Sequence, residues 1–215
     1  MDSKDSNISV AILIGSLWGF FEASLGGLLH HMHSPITGQI LAPIGFALLY
    51  LGMRNGLKPH QLIYVAVIAA SFKFFDIILF SMPLLSNRII NPASAILSQG
   101  LAFFLVAGIF KNRCPKPNQI FKLALVTFIA FIPIFNLNSY ILFGPNSTIY
   151  FENPIRALFI NTPIAIALTT IFFLIVDSTV RFPNFLSLKR INLATVSTAS
   201  LILALSAIVI RGLIV

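Results

Sequence analysis

The sequence predicts an all-α protein: a polytopic helical membrane bundle of about seven transmembrane helices, six at the lower count, with its N-terminus in the cytoplasm. Two features of composition point there. Only 9% of the 215 residues are charged and 57% are hydrophobic, whereas a soluble domain carries about 25% charged residues to cover its surface. Phe is used 21 times and Trp once, a balance that suits lipid-facing helices. The third observation is spacing: apolar stretches close to the roughly 20 residues that cross a ~30 Å hydrocarbon core recur between helix breakers. A soluble enzyme, a disordered tail and a nucleic-acid-binding domain are excluded. Residues 1–215 read as a single integral membrane domain.

The spans follow in order. The first covers residues 8–29 and ends at His33-Ser34-Pro35. It lacks a small-x-small cleavage site and runs on into Glu22 and a histidine cluster, so it reads as a span and not as a signal peptide. The second, 37–53, is the shortest and stops before Arg54 and Lys58-Pro59. The third, 61–82, stops at Pro83, and the fourth, 92–110, opens on Asn91-Pro92. The fifth, 119–142, lies between Pro115-Lys116-Pro117 and Gly144-Pro145-Asn146. The sixth, 155–178, follows Asn153-Pro154 and precedes Phe182-Pro183-Asn184, and the seventh is 192–214.

Basic residues orient these spans. Lys4, Arg54, Lys58, Lys111, Arg113, Lys116, Lys122, Arg181, Lys189 and Arg190 fall on one side, and Arg88, Arg156 and Arg211 on the other. The richer side is cytoplasmic, in a bacterial or archaeal inner membrane. The net charge of +8 is thereby a topological signal that requires no acidic partner. The single cysteine, Cys114, excludes an internal disulfide and falls in a basic cytoplasmic loop.

Ionisable groups in hydrocarbon are costly and mark a site, a pathway or a buried pair. Glu22, Lys73 and Asp76 lie well inside the spans, between the midplane and the outer face, while Asp177 and Arg211 lie near enough to ends to snorkel. Lys73 and Asp76 are three apart, on one helix face, where they can pair. Asn91, Ser94, Gln99, Asn136, Asn138, Asn161 and Thr162 share this outer half, as do Pro43, Pro133 and Pro163. Asn91-Pro92 and Asn153-Pro154 read as capped helix starts, which as ordinary helix ends need no ligand. Together these groups predict an outward-opening site for a small polar solute, Glu22, Lys73 and Asp76 setting its charge. The structural alternative is that an acid merely neutralises Lys73.

Small residues recur every four positions on the first span, at Ala11, Gly15, Gly19, Ala23 and Gly27. Such a ridge lets another helix approach closely, within the chain or in another subunit. With these features the chain resembles the substrate-binding S-component of energy-coupling-factor (ECF) importers, small, basic and very apolar membrane proteins of about this length. The resemblance implies an outward-facing pocket covered by a loop, here His30 to Gly38. It also implies a docking ridge at Gly15, Gly19, Ala23 and Gly27, and partnership with a T-component and two cytoplasmic ATPases. The family typically has six spans.

Two other chemistries compete. His30, His31 and His33, with Glu22 two turns earlier, offer imidazoles to Ni²⁺, Co²⁺, Cu²⁺ or Zn²⁺, which would make the chain a divalent transition-metal carrier; otherwise they are histidines at a wet interface. Glu22 or Asp76 with a histidine would supply acid–base chemistry to an intramembrane enzyme. No Gly-x-Ser-x-Gly, His-Glu-x-x-His or paired aspartate motif accompanies them. No cofactor beyond such a metal is indicated. His60 lies at the far end of a span from His30, which excludes a bis-histidine haem.

Overall fold

The computed structural model describes residues 3–26, 29, 37–80, 83, 86–110, 115–144, 148–181, 198–203 and 205–206. Among these residues the chain is helical, without strands. Its long helices are α1 (Ser3–Phe21), α2 (Thr37–Arg54), α3 (Pro59–Phe80), α4 (Asn87–Ile109), α5 (Ile120–Phe143) and α6 (Thr162–Arg181). Each overlaps one of the first six predicted spans, though α1 stops at Phe21 where the prediction runs to 29, and α6 starts at Thr162 where it begins at 155. Of the seventh, residues 198–203, 205 and 206 are helical, and the rest lies outside the described residues.

Among the described residues four segments are long and apolar enough to cross a membrane: Asn7–Gly26, Ile89–Ile109, Ile120–Phe143 and Pro154–Val180. α2 is not among them, because Gln39, Pro43, three glycines and Arg54 dilute its apolar run. It is instead the interior helix, with ten of its 18 residues buried. The other five pack in succession, with α1 on α3, α3 on α4, α4 on α5 and α5 on α6. α2 closes the ring between α6 and α1 and also touches α3 and α4.

In a membrane the hydrophobic effect does not drive helices together, so close packing must. Glycines provide it. A Cβ at Gly15 would come within 2.8 Å of Ile68, and one at Gly19 would overlap the Phe72 ring. Gly100 of α4 receives Ala66 of α3 in the same way. The centre is filled by fully buried Phe46, Tyr50, Phe103 and Phe173, together with Phe128 and Phe131. Tyr50 and Phe173 lie 4.6 Å apart between ring centroids, and Phe46 meets Phe128 edge-on at 5.2 Å.

Local chemistry departs from the sequence expectation in three places. α4 begins at Asn87 and not at Asn91-Pro92: the Ser86 carbonyl accepts from Ile89 and Ile90 N–H, so the helix starts earlier. Pro92 then lies inside it, its ring removing one backbone donor. The last turn of the first span, Glu22–Gly26, widens to a π-helix. A second π turn, Ala157–Asn161, joins the short turn Pro154–Arg156 to α6. Pro163 accounts for the second: its ring crowds the carbonyl four residues back and has no N–H to offer it. Thr162 Oγ1 donates to the Ala157 carbonyl at 2.8 Å in partial compensation.

The starts of α3 and α5 share one device. In Lys58-Pro59-His60-Gln61, the Gln61 side chain accepts from the Lys58 N–H at 2.8 Å. In Lys116-Pro117-Asn118-Gln119, Gln119 accepts from Lys116 N–H at 3.2 Å. At α3 this is one half of a capping box, the glutamine reaching back to the residue before the helix; at α5 the same bond closes the 3-10 turn Pro117–Gln119 that leads into the helix.

Candidate functional site

Outer and inner here name the ends of the bundle in the orientation the basic residues predict. Glu22, in the π turn of the first span, and Lys73, on α3, are both buried. Lys73 Nζ stands 3.9 Å from Glu22 Oε2 and donates to the Glu22 carbonyl at 3.4 Å. The ion pair is thus loose, and among the described residues the ammonium makes no further hydrogen bond. One turn inward on α1 lies Trp18, fully buried. Its indole is near enough to influence the Glu22 carboxylate, yet Nε1 makes no hydrogen bond of standard geometry.

Trp18 is packed into a notch at Gly45 of α2, where the Gln99 side chain arrives from α4. A Cβ at Gly45 would strike both the indole and the Gln99 carbonyl oxygen. That oxygen is buried and has no hydrogen-bond partner among the described residues. Three helices therefore converge on one glycine, with the Glu22–Lys73 pair a turn away. Asp76 follows Lys73 on the α3 backbone, but its side chain lies outside the described residues.

A second polar group joins α4 to α5. Asn138 Nδ2 donates to Ser98 Oγ at 3.3 Å and to the Ser94 carbonyl at 3.5 Å. Ser94 Oγ donates to the Asn91 carbonyl, while Asn91 Oδ1 is buried without a partner. Asn136 accepts from Thr148 Oγ1 at 2.6 Å and donates to Ile132, next to the carbonyl-freeing Pro133. Beyond the span, the Tyr150 and Thr162 hydroxyls lie 3.1 Å apart. Thr162 spends its proton on Ala157, so Tyr150 is the donor. Burial pushes the Tyr150 phenol above its ordinary range, and the Thr162 contact pulls partly the other way. Asn161, half-buried, closes the π turn beside Thr162. The predicted polar residues thus fall into two groups. Glu22, Lys73 and Gln99 gather around Trp18, while Asn91 and Ser94 belong to the α4–α5 seam and Asn136 is tied to Thr148.

The inner end holds a cluster that sequence reasoning treated differently. Asp177 is buried, not snorkelling. Arg54 NH1 lies 3.2 Å from Asp177 Oδ1, and Tyr50 OH donates to the same oxygen at 3.4 Å. A signal was present: both residues lie near the inner ends of inward-running spans, hence at one depth. Between this pair and the Glu22 group, the aromatic rings of α2, α4, α5 and α6 fill the bundle.

The small-residue ridge is covered from within. Gly15 and Gly19 face Ile68 and Phe72 of α3, and buried Ala23 packs with Phe72. Gly27, His30, His31 and His33 lie outside the described residues. Among the described residues no three His, Cys, Asp or Glu side chains are placed to hold a metal. Comparisons with family models, curated proteins and solved structures give no match for this chain.

Proposed function

We propose that this chain is the solute-binding subunit of an importer, a multi-pass protein of the bacterial or archaeal cytoplasmic membrane. It takes a small polar solute from the outer side, in the manner of an ECF S-component. The observation that carries the reading is the buried Glu22–Lys73 pair beside the Trp18–Gly45–Gln99 junction, with an unpartnered carbonyl at Gln99. Charges and orphaned amide oxygens are expensive in hydrocarbon and persist where a function uses them. The packed rings of the inner half support a binding protein over a channel, since no polar track continues inward through Phe46, Phe103 and Phe173. A chain sealed on that side delivers its solute only with partners that move it, which favours a T-component and ATPases as companions.

Native mass spectrometry of the gently purified protein tests this. The expected result is one co-purifying small solute in the wild type and its loss in Lys73→Met. Circular dichroism of the variant should stay helical. A solute retained in Lys73→Met, or a wild type that carries none and meets no partner subunit, overturns the reading.

A further inference from the structure

The outward face of α4 is a regular apolar stripe. Leu97, Leu101, Leu105 and Ile109 follow at four-residue spacing and all are exposed, rising to 69% at Ile109. Residues four apart stack on one face of a helix. The stripe lies on the exposed side of α4, which packs most closely on α3 and α5. At its inner end Gly108 is exposed, with open space where a side chain would stand, so the helix surface is flat there and an acyl chain can approach its backbone. Exposed Tyr64 of α3 and Phe121 of α5 belong to the helices on either side.

Charge is concentrated at this same end. Chain connectivity puts the α4 C-terminus level with the starts of α3 and α5, which carry the paired Lys-Pro-x-Gln segments. Lys58, Lys116 and Lys122 are all exposed there. Among the residues whose side chains are described, the acid at the inner end is Asp177, and it is committed to Arg54. The three lysines therefore have positive charge to spare at the depth of the lipid phosphates. An isolated basic residue there would serve orientation alone. Lysines at the ends of both helices beside an apolar stripe fit a single amphipathic ligand, with its acyl chain on the stripe and its phosphate toward the lysines.

From this we infer that the α3–α4–α5 face is a binding site for one anionic phospholipid of the inner leaflet. Lys58, Lys116 and Lys122 hold the headgroup, and Leu97, Leu101, Leu105 and Gly108 seat the chain. The site is independent of the solute-binding reading and uses none of its residues.

The test is competition between lipids on the delipidated full-length protein. Equal amounts of dioleoyl phosphatidylglycerol and dioleoyl phosphatidylcholine are added, and bound adducts are counted by native mass spectrometry. The expected preference for phosphatidylglycerol is about 5-fold for one effective lysine contact and about 30-fold for two. In K58Q/K116Q, and more weakly in Lys122→Gln, the two lipids should approach parity. Gly108→Trp should reduce retention of both lipids while keeping the charge preference. Inorganic phosphate should not displace the lipid. Equal binding of the two lipids by wild type, or an unchanged preference in K58Q/K116Q, overturns the site. Displacement by free phosphate, or full retention in Gly108→Trp, overturns its assignment to a lipid.

Discussion

Removing one partner of the Arg54–Asp177 pair leaves the other charge buried at the inner end, where such a loss costs about 3–5 kcal/mol. Asp177→Asn and Arg54→Ala should each lower the unfolding midpoint in a detergent titration. Their combination should cost much less than the two losses added, because no lone charge then remains. Additive losses would mean that the residues act separately despite their 3.2 Å contact. At this scale the sequence was half legible. Glu22 and Lys73 stand out because an ionisable residue in an apolar run has few explanations. Asp177 did not, since a residue near the end of a span can reach water by snorkelling, and only a partner at the same depth on another helix decides otherwise. The hydrogen bonds of Asn136 and Asn138 were hidden for a similar reason: their partners, Thr148 and Ser98, come from elsewhere in the chain.

Helices are positioned here by what glycine leaves out. Gly45 admits Trp18 and Gln99 to the α2 backbone, so Gly45→Ala overpacks the junction and should cost about 1–3 kcal/mol. Trp18 is the only tryptophan, so intrinsic fluorescence reports on this place alone. The variant should shift the emission of the folded protein, and an unchanged spectrum with unchanged stability would refute the tight fit. Element boundaries followed breakers well, with one exception at α4. Asn91-Pro92 has the residues of a cap, but Ser86 begins the helix a turn earlier and Pro92 is accommodated. The π turns had no residue signature. Pro163 explains the one at Ala157–Asn161 once the helix is known to continue through it.

The arrangement of helices was the least legible level. An apolar side chain that meets lipid and one that meets a neighbouring helix are alike in sequence, so periodicity could not reveal that α2 is interior. Composition marked the whole chain as membrane-like, and the structure agrees in holding four helices fit to cross a bilayer. Orientation is testable with the protein's own thiol. Cys114 follows α4 on the predicted inner side, so a membrane-impermeant maleimide should label it in inside-out vesicles and spare it in intact cells. Labelling of intact cells would invert the bundle, and with it the assignment of Glu22 and Lys73 to the outer half.

The interior position of α2 also bears on how the chain is made. Tyr50 and its Asp177 partner are 127 residues apart, which is about 6–25 s of synthesis at ~5–20 residues per second. For that interval Arg54 has no counter-charge, and α2 lacks the apolar run that would commit it to lipid unaided. The expectation is that α2 settles only when α6 arrives. A nascent chain stopped before residue 177 should expose its second helix to proteases or membrane chaperones.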